Sequence, residues 1–159
     1  MRLLDLFCKA GGAGMGYHLA GFEVVGVDLE PQPNYPFEFV RADAIEYLLK
    51  YGHSFDAVHS SPPCQAYSRT QKLQGRKHPE LIGPTRDALK STGLPWIIEN
   101  VPESPLIEPV LFCGASFGLG TYRHRLFEAS FELMAPMHFP HLKPTAKMGR
   151  RPKAGEMIH

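Results

Sequence analysis

The sequence predicts an α/β fold, a doubly wound and mostly parallel sheet with helices on both faces. Short apolar runs alternate with helical stretches as far as residue 102, which is the pattern of β-α-β units. Glycines follow the first run and an acidic residue ends the second, at the edge where parallel sheets place their ligands. The chain has 159 residues, of which 43% are hydrophobic, enough for one domain with a substantial core.

Each predicted strand is a short run rich in Val, Ile, Leu or Phe, and each predicted helix follows a strand. The strands are predicted at residues 2–7, 23–28, 37–40, 55–59, 94–99, 110–113 and 125–130. The helices are predicted to end at Ala20 and to occupy residues 43–50 and 84–91. Between the fourth and fifth strands, residues 75–83 form a long polar loop, which is typical of an active-site lid.

From Met134 onward the chain is rich in Pro, His and Lys. We therefore predict a domain of residues 1–133 and a basic, poorly ordered tail of residues 134–159. The formal net charge is only +1, but basic residues cluster at 69–77 and at 143–153. Such clusters can follow a phosphate backbone or can be solvated surface, and the sequence favours neither.

The N-terminal residues lack a signal peptide, and no apolar run is long enough to cross a membrane, so a cytoplasmic protein is expected. The eight histidines do not predict a metal site. His138 and His141 are three residues apart, but no further ligand partners are evident in the sequence. We expect His53, His59 and His124 to be packing or surface residues.

The turn after the first strand is predicted to bind a nucleotide-like cofactor. Gly11 and Gly12 allow close backbone approach, and Phe7 could pack against a flat base. Asp28 ends the second strand and could accept hydrogen bonds from ribose hydroxyls, while Asp43 could accept one from an adenine amino group. Alternatively, the glycines serve packing and the two acids cap helices. The turn lacks G-x-G-x-x-G, which disfavours NAD and FAD.

Cys64 is the candidate nucleophile. It follows Pro62 and Pro63 directly after the fourth strand, and the prolines would hold it rigidly at the edge of the site. A buried structural role is the alternative, and it suits Cys8 and Cys113 better because both lie in apolar strands. The three cysteines show no CxxC spacing, which predicts neither a disulfide framework nor a zinc site.

Five ordered motifs resemble those of the cytosine C5 DNA methyltransferase family. They are Asp5-Leu6-Phe7 with Gly11-Gly12, Ser61-Pro62-Pro63-Cys64-Gln65, Glu99-Asn100-Val101, the segment from Leu111 to Gly118, and Arg123-His124-Arg125. Together they extend over most of the chain, and each stands near a predicted strand. The resemblance implies a Rossmann-like, S-adenosylmethionine-dependent methyltransferase fold, with residues 1–133 as the catalytic domain.

By the same resemblance, the chain transfers a methyl group from S-adenosylmethionine to C5 of cytosine in DNA through a covalent bond between Cys64 and C6. Glu99 would contact the ring nitrogen and the exocyclic amine, and Arg123 and Arg125 would contact O2 and brace the catalytic loop. The target base would be flipped out of the duplex. The implied cofactor-binding residues are Phe7, Ala10, Gly11, Gly12, Asp28, Leu29, Asp43, Ala44 and Pro63, and the implied substrate-binding residues are Gln65, Ser68, Arg69 and Asn100.

The chain departs from the family pattern in three places. Lys9 stands where the family usually has Gly, and Thr121 stands where it usually has Gln. Only about thirty residues follow the arginine motif, so neither the target-recognition region nor the C-terminal motif has a recognisable counterpart. A role in restriction–modification or in protecting viral DNA is implied by resemblance alone.

These departures leave alternatives open. The substrate could be RNA, such as tRNA, or a free nucleotide. The chain could instead be a catalytically weak module that binds the cofactor or nucleic acid. It could also be half of a split enzyme whose partner chain supplies the missing recognition elements.

Overall fold

The computed structural model describes residues 1–67, 79–138, 140–146 and 151–158. The β-strands in these residues are β1 (Arg2–Leu6), β2 (Glu23–Asp28), β3 (Glu38–Arg41), β4 (Ala57–Ser60), β5 (Trp96–Asn100), β6 (Val110–Cys113) and β7 (His124–Ala129). The α-helices are α1 (Gly12–Leu19), α2 (Ala44–Tyr51) and α3 (Ile82–Thr92). Short 3-10 helices lie at Gly52–Ser54 and Gly114–Phe117.

The described strands form one sheet in the order β3-β2-β1-β4-β5-β7-β6. The pairings from β3 to β5 are parallel, whereas β7 runs antiparallel to both β5 and β6. This topology brings the ends of β1, β4 and β5 together at one edge, where ligands of open α/β sheets bind. The predicted α/β class with a mostly parallel sheet is therefore confirmed.

The main hydrophobic core lies between the sheet and the helices α2 and α3. Leu4, Leu6 and Val27 of the central strands pack there against Leu48 of α2 and Leu89 of α3, and each is at most 1% exposed. The two helices also contact each other. These side chains alternate along β1 and β2, as expected for residues that face one side of a sheet.

Helix α1 lies on the opposite face. Asp5 of β1 points to this side, and a Cβ added to Gly14 of α1 would lie 2.9 Å from Asp5 Oδ2. A Cβ added to Gly26 of β2 would clash with the ring of Tyr35. The absence of side chains at both glycines thus lets the loop before β3 and helix α1 pack closely on the sheet.

Most predicted elements match the observed ones, with ends that differ by one or two residues. The polar loop predicted to reach residue 83 ends earlier, because α3 begins at Ile82, whose side chain is fully buried. The rest of that loop, from residue 75 to residue 78, lies outside the described residues. Within the described ranges, no helix has the length and apolar character needed to cross a bilayer.

Parts of the predicted tail contact the sheet edge. Isolated parallel bridges join Thr121 to Ile158 and Thr145 to Met157. Met157 is 9% exposed and packs with Cys113 and Tyr122 in a second, smaller core cluster. The domain boundary after residue 133 stays a prediction.

Candidate active site

The turn after β1 has an unusual backbone. Phe7 and Lys9 are not glycines, yet both have positive φ values, 57° and 46°. Left-handed backbone is costly for such residues and is concentrated at functional sites. Gly11 follows with φ 83°, and a Cβ there would lie 2.9 Å from Pro36 Cδ, so only glycine fits. Gly12, which begins α1, faces open space.

A cavity of about 1080 Å³ opens beside this turn, and we call it the α1 cavity. It is lined by polar residues at the ends of β1, β4, β5 and β7, by one face of α1, and by the phenylalanines of β6 and β7. The lining residues are Asp5, Phe7, Cys8, Lys9, Gly12, Ala13, Gly16, Tyr17, Ala20, His59, Ser61, Glu99, Phe112, Phe117, Arg123, Arg125 and Phe127. Aromatic walls with a few convergent polar groups are typical of small-molecule sites.

Asp5 is the most unusual group in the α1 cavity. Its carboxyl is 1% exposed; Tyr35 donates a hydrogen bond of 3.1 Å to Oδ2, while Oδ1 has no hydrogen-bond partner among the described residues. Burial raises the pKa of Asp5 to about 7, although hydrogen bonds from Tyr35 and the Gly14 amide act in the opposite direction. Oδ1 is itself enclosed, so the Asp5 carboxyl can attract a ligand in the cavity through its charge and not by direct contact. This charge suits a cationic ligand, and S-adenosylmethionine carries a positive sulfonium.

The structure does not bring all the predicted cofactor residues to the α1 cavity. Asp28 is 3% exposed and accepts hydrogen bonds from the backbone amides of Lys9 and Glu30, both at 3.1 Å. Lys9 Nζ lies 3.3 Å from Asp28 Oδ1, so this lysine forms an ion pair with the predicted ribose acceptor. The lysine side chain is 64% exposed, which makes this pair weak.

The other predicted cofactor residues lie further along the same edge. Asp43 is the N-cap of α2 and accepts hydrogen bonds from the amides of Ile45 and Glu46. This agrees with the alternative prediction that Asp43 caps a helix. The side chain of Ala44 packs in the main core, so only its backbone is available to a ligand. Leu29 is 62% exposed, and Ala10 is also exposed in the β1 turn.

A second cavity, of about 300 Å³, surrounds Cys64, and we call it the Cys64 cavity. Its lining residues are Lys9, Ser61, Pro62, Pro63, Cys64, Gln65, Glu99, Asn100, Val101, Arg123 and Arg125. Cys64, Glu99, both arginines, Gln65 and Asn100 thus lie around one cavity. Pro63, predicted to contact the cofactor, lines this cavity instead. Ser68 and Arg69 lie outside the described residues.

The two cavities are neighbours. Lys9, Ser61, Glu99, Arg123 and Arg125 line both of them. A molecule in the α1 cavity would therefore lie next to a molecule in the Cys64 cavity, with the carboxyl of Glu99 and two guanidinium groups between them. This arrangement suits a group transfer between two ligands.

Glu99 and Arg125 form an ion pair that fixes both side chains. Arg125 Nε lies 2.7 Å from Glu99 Oε1, and Arg125 also donates a hydrogen bond of 2.8 Å to the carbonyl of His124. Burial and the nearby Arg123 lower the pKa of Arg125, while attraction to Glu99 and Cys64 raises it.

Asn100 holds the proline turn in place. Its side-chain amide is 2% exposed and donates a hydrogen bond of 2.8 Å to the carbonyl of Pro62, and its oxygen accepts one from the amide of Val101. The Cys64 carbonyl accepts a hydrogen bond of 3.0 Å from the amide of Tyr67. The cysteine thus lies between a bond that joins the turn to β5 and a bond within the turn itself, and both limit its movement.

Cys8 and Cys64 differ in environment. Cys8 is 7% exposed, and burial followed by the negative charges of Asp5 and Asp28 raises its pKa to about 12. It is therefore a neutral thiol at physiological pH. Cys64 is half-buried in a cavity that also contains two arginines. Of these two thiols, Cys64 is thus the more accessible.

His59 connects α1 to the proline turn and was expected only to pack or to lie at the surface. It is 2% exposed, Nδ1 lies 3.1 Å from the hydroxyl of Tyr17, and Nε2 lies 2.9 Å from Ser61 Oγ. Ser61 immediately precedes Pro62. The sequence gives no signal for this connection, because Tyr17 and His59 are 42 residues apart.

We expect acid to destabilise the fold through His59. Burial lowers the pKa of His59 to about 4, below the ordinary value of 6.5. Between these two values the unfolded chain therefore binds a proton at His59 that the folded chain does not bind. The contribution of His59 to the free energy of unfolding is therefore fully present above pH 6.5 and is lost as the pH falls, by about 2 kcal/mol at pH 5. Urea unfolding of the wild type and of His59→Gln between pH 7 and pH 5 measures this loss.

The difference between these two proteins isolates His59, because Asp5, which also titrates in this range, is present in both. Asp5 acts in the opposite direction, since its raised pKa favours the folded state as the pH falls. Parallel pH profiles for the wild type and His59→Gln would contradict the assignment.

Comparison with known proteins supports a methyltransferase. No family model matches the chain. It is 30% identical over 86 residues to the Type II methyltransferase M.FnuDI of Fusobacterium nucleatum, an alignment that covers 50% of this chain and 25% of that protein. It is 25% identical over 189 aligned positions to the Type II methyltransferase M.AquIA of Picosynechococcus, covering 87% of this chain and 75% of that protein.

Among solved structures, the chain is similar to the Dnmt2 methyltransferase of S. pombe, with a TM-score of 0.58, 19% identity, and coverage of 85% of this chain and 52% of that one. The fold is therefore the Rossmann-like methyltransferase fold, as predicted. These comparisons also support S-adenosylmethionine as the cofactor. The chain spans about a quarter of the length of M.FnuDI and about half that of Dnmt2.

Proposed function

We propose that this chain methylates cytosine at C5 in DNA, with S-adenosylmethionine as the methyl donor and Cys64 as the nucleophile. The observation that carries the proposal is the meeting of two cavities at Glu99 and Arg125, one with a cysteine thiol and one with an unpartnered carboxylate oxygen. A thiol is required for C5 chemistry because cytosine C5 is a poor nucleophile until C6 carries an added group. The similarity to Type II methyltransferases supports DNA as the substrate.

The residues that would hold the cofactor are those of the β1 turn. Phe7 offers a flat apolar surface, Gly11 and Gly12 allow backbone approach, and Asp5 offers a negative charge at the cavity wall. When bound, S-adenosylmethionine supplies a methyl group on a positively charged sulfur. Lys9 Nζ lies beside Asp28 in the structure, so ribose recognition by Asp28 would require the exposed lysine side chain to move aside.

The Cys64 cavity would hold a cytosine flipped out of the duplex. The Cys64 thiol loses its proton to solvent as Sγ forms a bond to C6, and the displaced electron pair makes C5 nucleophilic. A proton shared between the ring nitrogen and the Glu99 oxygen that Arg125 leaves free draws electron density from C6 as sulfur attacks. After C5 has gained the methyl group, the hydrogen on C5 leaves to solvent as a proton, and its bonding pair re-forms the C5–C6 double bond. The bond between sulfur and C6 then breaks with its electron pair on sulfur, which takes up a proton and restores the free thiol.

Arg125 and Asn100 position the reacting groups. Arg125 holds one oxygen of Glu99 through Nε, and Asn100 fixes the Pro62 carbonyl two residues before Cys64. Arg123 is exposed at the edge of the same cavity, where it could contact the base or a phosphate. Together these contacts place a thiol, a carboxyl group and two cations around a pocket of nucleobase size.

The proposal is tested by methyl transfer with labelled S-adenosylmethionine. Duplex DNA, tRNA and free cytidine nucleotides are incubated separately, digested, and analysed by mass spectrometry against standards of 5-methylcytosine, N4-methylcytosine and N6-methyladenine. We expect 5-methylcytosine from DNA. Label in RNA or nucleotide alone would contradict the substrate, label at N4 or N6 would contradict the chemistry, and no label in any substrate would contradict activity of this chain alone.

We also expect cofactor affinity to depend on Asp5. Because burial raises its pKa to about 7, Asp5 is mostly protonated at pH 6 and mostly ionised at pH 7.5. An ionised carboxylate attracts the cationic cofactor, so the dissociation constant should fall about fivefold over this range. Isothermal titration with S-adenosylmethionine measures it, and Asp5→Asn, which retains an acceptor for Tyr35, should bind more weakly and show no such pH dependence. The same pH dependence of the dissociation constant in Asp5→Asn and in the wild type would contradict the assignment.

A further inference from the structure

Four side chains that the proposed reaction does not use meet at the β6–β7 edge of the sheet. They are Cys113, His124, His138 and His141, and their ligand atoms all lie within 4.8 Å of one another. Cys113 ends β6 and pairs directly with His124, the first residue of β7. The other two come from the following segment, which leaves the sheet after β7. The sheet and that segment therefore each contribute two side chains.

We propose that these four side chains form a structural zinc site. Cys113 Sγ lies 3.4 Å from His141 Nε2, and His124 Nε2 lies 3.2 Å from His138 Nε2. Tetrahedral zinc has bonds of about 2.0–2.1 Å to nitrogen and about 2.3 Å to sulfur, which puts neighbouring ligand atoms roughly 3.3–3.6 Å apart. Two of the six spacings, at 3.4 Å and 3.2 Å, are close to these values, and all six are within 4.8 Å, so small side-chain movements would complete the tetrahedron.

The identity of the ligands favours zinc over other common cations. One thiolate and three imidazoles are the N and S donors of structural zinc sites, whereas magnesium and calcium prefer oxygen. Four protein ligands also leave no open position for a water molecule, which is the pattern of structural rather than catalytic zinc.

Hydrogen bonding alone explains the cluster less well. Hydrogen bonds could join the four groups as two pairs, Cys113 with His141 and His124 with His138. Hydrogen bonds do not require the two pairs to lie next to each other, yet all four potential metal-ligand atoms lie within 4.8 Å of one another. The rings of His124 and His141 are also nearly parallel, with centroids 5.0 Å apart, and His141 stacks on Tyr122 at 3.9 Å. These contacts orient His141 before any metal binds.

The proposed site would secure a segment that buries little apolar surface. Met134, Met137 and Leu142 are 89%, 72% and 87% exposed, respectively. With so few apolar contacts, the entropy cost of ordering the segment needs another source of stability, and metal binding can provide it. The site also fixes the start of β7, where His124 stands between the two arginines of the Cys64 cavity.

The experiment measures metal in the full-length protein after removal of any affinity tag. We expect about one zinc per chain by inductively coupled plasma mass spectrometry. Cys113→Ser and His141→Ala should each lower zinc retention at least tenfold against a competing chelator. His53→Ala is the matched control, because His53 is exposed and lies outside the cluster, so its zinc content should equal that of the wild type.

Cobalt substitution of the wild type keeps the test informative if a variant fails to fold. Cobalt bound by one thiolate and three imidazoles in a tetrahedron gives intense visible bands and a sulfur-to-cobalt charge-transfer band in the near ultraviolet. Wild-type protein without stoichiometric zinc, or a cobalt spectrum without the thiolate band, would overturn the proposal. Equal zinc retention by Cys113→Ser and the wild type would overturn it too. None of these outcomes depends on methyl transfer, so the zinc site and the proposed function can fail separately.

Discussion

Cys64→Ala is expected to abolish covalent capture of DNA that contains 5-fluorocytosine. Fluorine at C5 cannot leave as a proton does, so the bond between Cys64 and C6 persists in the wild type and can be seen as a complex that survives denaturing electrophoresis. Without the thiol no bond forms, and methyl transfer should fall by about 10⁴-fold or more, as for other lost nucleophiles. Cofactor binding should change little, because Cys64 does not line the α1 cavity.

Cys8→Ala provides the matched control for this experiment. Both substitutions remove a thiol near the proposed cofactor, but Cys8 is buried and its pKa of about 12 keeps it protonated. The control should retain the covalent complex when S-adenosylmethionine is saturating. A complex that persists in Cys64→Ala, or disappears only in Cys8→Ala, would show that residue 64 is not the nucleophile.

Local patterns predicted the elements of the sheet well because each strand is a short apolar run with a clear end. That Cys64 and Glu99 lie close together could also be anticipated, since both follow or end adjacent parallel strands of one sheet. β5 is next to both β4 and β7 in the observed order. The antiparallel direction of β7, which places Arg125 beside Glu99, is a tertiary feature that no local pattern indicates.

The features that sequence reasoning missed depend on long-range contacts. The sequence offers Asp5 only as part of a motif, although its burial makes it the most perturbed carboxyl in the α1 cavity. The pairing of Lys9 with Asp28 depends on the left-handed backbone at residue 9, which is unusual for lysine. Such contacts arise where several elements converge, so their chemistry cannot be read from one segment.

The prediction that no metal binds rested on the absence of further ligands near His138 and His141 in the sequence. In the structure Cys113 and His124 lie beside them, brought there by the register of β6 and β7. Cys113 was interpreted as a buried structural cysteine, and its 2% exposure agrees with that interpretation. Burial and metal binding are compatible, because a structural zinc site excludes water.

Glu128→Ala is expected to cause a large loss of stability although Glu128 lies outside both cavities. Glu128 is 5% exposed on β7 and accepts two hydrogen bonds from Arg86 of α3, and the amide of Ile107 donates a third at 2.8 Å. Removing the carboxylate leaves a nearly buried guanidinium and a backbone amide without their partner. The free energy of unfolding should fall by about 3–5 kcal/mol, as measured by urea denaturation.

Two further variants test whether the loss of stability comes from breaking this buried ion pair and not from removing a charge alone. Glu23→Ala removes the exposed pair with Arg2, whose side chains are 67% and 38% exposed, and should cost less than about 1 kcal/mol. The double variant Arg86→Met/Glu128→Leu replaces both buried charges with apolar side chains, so its loss should be smaller than that of Glu128→Ala alone. A loss for Glu128→Ala no greater than that for Glu23→Ala would mean that this pair does not join α3 to β7.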